Sequence, residues 1–470
     1  MAKRITTLFL CLIMLISVIN IAGCSGKKTT GDVSVNGETT QPIQTTKTAL
    51  TTENSQSTEK TKITFMGWGA DAEVATFQAM IDEFEKVYTD VQVEYIVVPS
   101  SDYDTKLQTM IASGDQPDVF YCSVDYIMKY AATGNLYDMT DYVAKNDIFD
   151  QTNVWPKAID LYRFDGTGLG KGSIYALPKD ISAYAVVYNK DLFKSAGITA
   201  PTKETPWTWD DYLAAAKKLT SGEGDSKVYG TSMYSLESAV WSNGADWLDS
   251  TLSKVTIDTP EFINALQWVA DLRLVQGVAP TAAEETSFSS YDRFLQGKLG
   301  MMGLGSWGSA DLWKNCKFEW DIMAWPVSPS TGKNAIWFGS AGLAVSPNSK
   351  NIEASCNLAA YLAFNKDAQK TSYTSGQSVP TLLDMANGEY LKMDSMPKNK
   401  QAFLDILADY GRLATQSRTF NQEWWSEFNS GIDDVYTGAM TAEDYCKSVK
   451  GSVQDLLDKS IEQQKALTGN

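Results

Sequence analysis

Apolar and polar positions alternate in ITFMGW (63–68), the period of a strand, and the pattern then changes. In EVATFQAMIDEFEKVY, Val74, Phe77, Met80, Ile81, Phe84 and Val87 recur every three or four residues, which predicts one apolar stripe on a helix. VQVEYIVV (91–98) reads as a second strand. Ser101 followed by Asp104 has capping-box spacing and predicts a helix with Tyr103, Leu107, Met110 and Ile111 on one face and Gly114 as its stop. PDVFYCS (117–123) is a third strand. The order β-α-β-α-β predicts an open parallel sheet with helices on both faces, an α/β fold in which ligands sit beyond the carboxyl ends of the strands.

Further along, SIYALPKDISAYAVVYNKDLF (173–193) carries strand-like runs interrupted by Pro178. TWDD predicts a capping box at Thr208 and a helix through Leu219, and AGLAV (341–345) reads as a strand. PEFINALQWVADLRLVQG and IEASCNLAAYLAFNKDAQK each predict a helix. There is no repeat at solenoid periods.

The first residues have a different character. Lys3 and Arg4 precede LFLCLIMLISV (8–18), the n- and h-regions of a secretory signal. The following IAGCSGKK resembles the lipobox of bacterial lipoproteins, which implies a signal peptide over 1–23 and a diacylated Cys24. The alternative is an ordinary signal in which Cys24 is incidental. Two acyl chains, at about 0.8 kcal/mol per buried methylene, would anchor the protein where one would not. Residues 25–60 contain no Phe, Tyr or Trp and read, with Cys24, as a disordered Ser/Thr-rich tether over 24–60. As a flexible coil it would span roughly 30–36 Å.

Composition narrows the chemistry. The remaining 410 residues are too many for one core and suggest two lobes. The net charge of −17 argues against nucleic acid as a partner. The absence of histidine removes imidazole acid–base catalysis and Ser-His or Cys-His triads. Cys122, Cys316, Cys356 and Cys446 form no C-x-x-C pair, so neither a zinc site nor any other metal or cofactor is expected, and a disulfide among them stays open. GTGLGKGS (166–173) glances at a P-loop but has Asp165 in place of the first glycine and Gly172 in place of the Ser or Thr. Gly303, Gly305 and Gly308 in MMGLGSWGSADLW match G-x-G-x-x-G, yet they come late in the chain and no acid ends the next strand.

Several motifs together resemble one family. PDVFYCSVDYIMKYAATGNLYDMTDYV, IYALPKDISAYAVVYNKDLFKSAGI, PWTWDDYLAAAKKL, FLQGKLGMMGLGSWG and AGLAVSPNSKNIEASCNLAAYLAFN, in that order with VPT downstream, resemble the family 1 extracellular solute-binding proteins of carbohydrate ABC importers, the maltose-binding protein relatives. The resemblance spans about residues 61–460. It implies a two-lobed periplasmic-binding-protein fold of type II, with lobes at 61–177 plus 341–380 and 178–340 plus 381–470. Chain crossings are expected near 177–180, 339–341 and 379–383, where Pro and Gly cluster. It also implies a monomeric, non-enzymatic receptor on the outer face of the cytoplasmic membrane that passes its ligand to an ABC permease.

Sugars present apolar ring faces and hydroxyl edges, so a sugar cleft needs aromatic platforms beside polar side chains. Trp68 follows the first strand at its carboxyl end, and Asp125 follows the third, as a ligand contact or a helix N-cap. By the resemblance, Asp180 at the first crossing is an acidic contact, against a solvated loop charge; Tyr184 and Glu237 are weaker versions. Trp241 and Asn243 match a second-lobe loop. Trp307 is the leading candidate, aimed by the glycines around it. Trp424 and Trp425 match a late aromatic position; on a helix they point about 100° apart, so only one should face ligand. Gly339 and Ser340 would allow close backbone approach. This aromatic and acidic set favours a neutral sugar or oligosaccharide over a polyol phosphate, peptide or polyamine. A carboxylate-dependent glycoside hydrolase remains the enzymatic alternative, through pairs such as Glu284 with Glu285.

Overall fold

The computed structural model describes residues 59–146 and 150–469. The signal peptide, Cys24 and all but the last two residues of the expected tether lie outside the described residues. The strands form two larger sheets and a hairpin. The first sheet has the order β2-β1-β3-β12-β6, from Val91–Val97, Thr61–Gly67, Val119–Ser123, Ala341–Val345 and Ala176–Pro178. The hairpin pairs β4 (Arg163–Phe164) with β5 (Ser173–Ile174). The second sheet has the order β13-β11-β7-β9-β8, from Gly411–Arg412, Ile336–Gly339, Ser182–Asn189, Leu299–Gly305 and Tyr229–Thr231, and β10 (Trp320–Met323) also pairs with β7.

The expected parallel sheet holds only for its opening strands: β2, β1 and β3 are mutually parallel. Strand β12 runs antiparallel to β3, and β6 antiparallel to β12. The reason is the path of the chain. It leaves the first sheet after β6 through Lys179–Ile181 to become β7 of the second, and returns from β11 to β12 across Ser340. A strand entering from the opposite sheet must run against those that began in this one. The two crossings lie side by side, with Gly342 opposite Pro178, Gly339 opposite Ser182, and the Lys179 amide donating to the Ala341 carbonyl at 2.9 Å. Ile181 also bridges to Val379, and Val154 to Leu382.

Local chemistry explains most elements. The first helix spans Asp71–Val87 and buries Phe77, Met80, Ile81 and Phe84 of the expected stripe, while Val87 is exposed. Strands β3 and β12 are buried almost throughout, as continuous apolar runs covered on both faces should be. The capping box at Thr208 forms: its Oγ accepts from the Asp211 amide at 3.2 Å and Asp211 accepts from the Thr208 amide at 2.9 Å. The one expected at Ser101 does not, because Pro99 takes the cap position and the helix Ser100–Ser113 already includes Ser101. Gly114 ends that helix with φ 79°, the left-handed conformation. The segment 352–370 is two helices, Ile352–Phe364 and Lys366–Thr374. Asn365 breaks them by turning extended and accepting from the Asp367 and Ala368 amides at 2.9 and 3.1 Å.

The helix Ala442–Thr468 is 27 residues, about 40 Å long. It reaches from the second sheet's helices, where Lys450 pairs with Asp258 at 2.6 Å, to the β4–β5 loop, where Gln464 donates to the Thr167 carbonyl at 2.8 Å. Among the described residues no helix is long and apolar enough to cross a membrane. Cys122, Cys316, Cys356 and Cys446 are free thiols.

Strand β8 and the helix Trp209–Leu219 approach so closely that a Cβ on Gly230 would lie 2.0 Å from the Ala216 carbonyl oxygen. Gly230→Ala should therefore cost about 3 kcal/mol or more, whereas Gly168→Ala, with nothing within 4 Å, should be neutral. Urea unfolding of the two variants checks this.

Candidate functional site

The residues singled out from sequence separate into four groups. The first lies at the carboxyl ends of the first sheet. Trp68, just past β1, packs edge-on against Tyr103 and Tyr121 at 4.6 and 4.9 Å and stays half-buried. Asp125 is not a helix N-cap: Ser123 caps the helix Val124–Ala132, and Asp125 sits in its first turn, where its carboxylate accepts a short hydrogen bond from Ser417. Asp104 lies nearby, and burial, then the charge of Asp125, raises its carboxyl pKa.

Asp180 is not a solvated loop charge. It is 6% exposed at the first crossing, next to Lys179, whose Nζ lies 3.3 Å from Asp180 Oδ2 and 2.5 Å from Glu73 Oε1. The ammonium also sits 4.7 Å from the centre of the Tyr121 ring. Two carboxylates hold Lys179 charged against its burial. Burial raises the Asp180 carboxyl pKa, and Lys179 offsets this only in part. Asp180 Oδ1 is buried without a hydrogen-bond partner, although the Ala341 amide is near enough to favour its charge. A buried carboxylate oxygen in this condition is costly unless something donates to it.

The second group is built by strand register. Phe338 pairs with Ala183, so Trp337 stands opposite Tyr184; Tyr184 pairs with Gly305, and Trp337 with Arg412. Tyr184, Trp337 and Arg412 therefore point to one face of the second sheet, in the row that Gly305 continues without a side chain. Tyr184 stacks on Trp337 at 4.8 Å, on Trp325 at 5.8 Å and on Trp307 at 6.4 Å. Trp307 belongs to the turn Ser306–Gly308 after β9 and fills the side-chain place that Gly305 leaves open, where a Cβ would lie 2.1 Å from its indole. Gly303 makes the same room for Tyr184, whose hydroxyl would be 2.4 Å from a Cβ there. The three spaced glycines do sit in a strand–turn–helix, but Tyr184, Trp307 and Leu304 occupy the space above them, not a pyrophosphate. Trp307 is 42% exposed even with Tyr184 and Trp337 beside it. Glu237, in the first turn of the helix Leu236–Ser242, accepts from Ser235 at 2.8 Å; its charge adds to burial in pushing the Tyr184 phenol up to about 12.

Gly339 and Ser340 lie between these groups, at the second crossing. A Cβ on Gly339 would meet nothing nearer than 3.6 Å, so no close approach demands glycine there. From Asp180 to Tyr184 the chain is extended over about 13 Å, which brings the acidic end of one sheet beside the aromatic face of the other.

The last two groups are elsewhere. Trp241 is buried, with Nε1 donating to Asp246 at 3.1 Å and the Arg412 guanidinium 4.7 Å above its ring. Asn243 spends both ends of its amide on the protein, donating to the Glu261 carbonyl at 2.8 Å and accepting from Ser328 at 2.9 Å. Trp424 is fully buried and donates to Thr419, so it is a core residue and not a ligand contact. Trp425 is half-buried against Trp247 at 5.1 Å. A strap joins the two regions: Arg412 and Thr415 bind Asp246 at 2.6 and 2.5 Å, Ser417 binds Asp125, and Phe420 is buried with Met128 and Phe164.

Sequence reasoning missed Trp337, Trp325, Glu73 and Lys179. Trp337 shares the parity of Gly339 at the crossing, which could have marked it; Glu73 carried no local signal.

Comparison with known proteins gives one consistent result. The model of the bacterial extracellular solute-binding proteins matches residues 69–369. A putative binding protein of Brucella abortus (strain 2308) is 27% identical over 349 residues, 71% of this chain and 78% of that protein. The maltotriose-binding protein of Pyrococcus abyssi (strain GE5 / Orsay) is 23% identical, over 68% of this chain and 67% of that one. An ABC substrate-binding protein from Listeria monocytogenes, solved in complex with cycloalternan, superposes with a TM-score of 0.76 at 28% identity, covering 85% of this chain and all of that one.

Two outcomes follow from the geometry. Gly305→Ala should expel the Trp307 indole and move tryptophan emission to longer wavelength, whereas Gly339→Ala should leave it unchanged. Asp180 has a folded pKa above its unfolded value, so its charge destabilises the fold once pH rises past the unfolded value of about 3.9. In calorimetry without ligand, Asp180→Asn should melt higher than wild type at pH 7, and the difference should shrink as pH falls below about 4.

Proposed function

Because the chain belongs to the bacterial extracellular solute-binding proteins, and its fold is the two-lobed type II architecture of that family's sugar-binding members, we infer that it captures a neutral sugar or oligosaccharide between its two lobes. The lobes are taken as residues 61–177 with 341–380 and 178–340 with 381–470. The observation that carries this reading is the partly exposed Trp307 beside Trp337 and Tyr184, the latter on the strand that leads from the crossing where Asp180 keeps a buried oxygen unpartnered. A pyranose ring face suits the indole, and a sugar hydroxyl suits the carboxylate oxygen. The maltotriose named for the Pyrococcus protein and the cycloalternan bound in the Listeria structure agree with that chemistry.

On this reading Trp68, Asp125, Asp180, Tyr184, Glu237, Trp307, Gly339 and Ser340 surround the ligand, with Trp425 at the periphery. Trp241 and Asn243 support the second lobe from outside the aromatic row. Rotation at the crossings closes the lobes, and the closed receptor, a monomer, presents its cargo to an ABC permease. The protein performs no chemistry on the sugar. Export by residues 1–23 and diacylation of Cys24 would hold it at the outer face of the cytoplasmic membrane.

The test is titration of the purified protein with glucose, maltose, maltotriose, mannotriose and arabinotriose, followed by tryptophan fluorescence and melting temperature. At least one saccharide should shift both, and Trp307→Ala should weaken it ten-fold or more, about 1.4 kcal/mol. No response to any of them would overturn the sugar reading. Anchoring has its own readout: Cys24→Ala should move the protein from the membrane fraction to the medium, and retention at the membrane would refute the lipid anchor.

A further inference from the structure

One cavity lies outside the cleft between the sheets. It has a volume of about 1230 Å³ and runs along the edge of the second sheet beside β13, with Trp207, Trp241, Trp325 and Arg412 among its lining residues. Trp68, Asp180, Tyr184 and Trp307 do not line it, whereas Trp241, Arg412 and Trp325 do; Trp325 also stacks on Tyr184 at 5.8 Å, so the cavity adjoins the aromatic row without including its exposed end. We propose that this cavity is a second saccharide site, separate from the cleft and selective for a neutral oligosaccharide of two or three rings.

Three observations carry the proposal. The first is size, since small-molecule sites usually occupy roughly 300–1000 Å³, so the cavity holds such a ligand with some water. The second is chemistry. Trp207 presents a half-buried ring whose other side is braced on Phe193 at 6.0 Å and 16°, the platform a sugar face needs. Asn334 and Asn399 both line the cavity and spend their amide nitrogens on the Trp325 and Ile322 carbonyls at 3.3 and 3.1 Å. That leaves their side-chain oxygens to accept from ligand hydroxyls. Charges balance around the rim: Lys203, Lys333 and Arg412 face Glu204, Asp405 and Asp409. Such a site favours neither a phosphate nor a polyamine.

The third observation is rigidity. Asp246 holds Arg412, Thr415 and the Trp241 indole at once, which fixes the wall on one side. Lys203 also brings the 201–207 loop against Asp405 and Asp409, at 3.1 and 2.8 Å, though as an exposed ion pair it adds little order. A wall ordered beforehand lowers the entropy lost on binding.

The cleft and the cavity can be tested apart, using the full chain. Maltotriose, mannotriose and arabinotriose are added at millimolar concentration to a cleft-disabled protein, Trp307→Ala with Asp180→Asn, and saturation-transfer NMR reports binding. Transfer to at least one trisaccharide should persist, and should fall at least ten-fold when Trp207→Ala is added. Gln401→Trp, an exposed lining position, should block the cavity to the same extent should Trp207→Ala perturb the fold. Absence of transfer in the cleft-disabled protein overturns the proposal, as does transfer that neither variant reduces. Wild-type binding that depends only on Trp307 would leave the cleft reading standing without this one; binding that depends only on Trp207 would do the reverse.

Discussion

Everything else in the molecule hangs on the two chain crossings that run side by side, one after β6 and one after β11. Their pairing, through the Lys179 amide and the Ala341 carbonyl, forces opposite strand directions into both sheets. It also places a buried lysine between two carboxylates, Glu73 and Asp180, where the sheets meet. An ion cluster of this kind does little for stability, since desolvation offsets most of the attraction. Its value here is positional: it fixes the acidic residue whose second oxygen is left over.

The aromatic face shows the complementary device. The side chains of one cross-strand row come from strands far apart in sequence, and where the row would end at Gly305, the following turn swings Trp307 into the place of the missing side chain. Glycine is needed here for the space it leaves, not for its backbone freedom. A rigid, partly exposed indole follows from ordinary packing with no loop to steady it.

Much of this was legible in the chain. The helix Asp71–Val87 announced itself because its stripe meets one sheet face, and the box at Thr208 because its helix begins at the next residue, Trp209. Ser101 carried the same spelling but lost the role to Pro99. The break at Asn365 was hidden because apolar periodicity runs on through it. Trp307 could be singled out by its glycine neighbours. Trp337 was marked only by its parity with Gly339, and Glu73 not at all, since its place depends on Lys179, more than a hundred residues away. The paired tryptophans made the same point: periodicity says that Trp424 and Trp425 diverge, and only packing says which one is swallowed by the core.

The strap between Arg412 and Phe420 sets a mechanical limit. One end is locked to the second sheet through Asp246, and the other is buried against Met128 and Phe164 beside the first. Eight residues of chain reach at most about 28 Å when drawn straight, and Ser417 is already fastened to Asp125 midway. Any gape of the two halves must therefore be taken up at Gln416, between Thr415 held by Asp246 and Ser417 held by Asp125, or by release of one of those bonds. The strap is a short leash, and its length, more than the softness of the crossings, bounds the stroke.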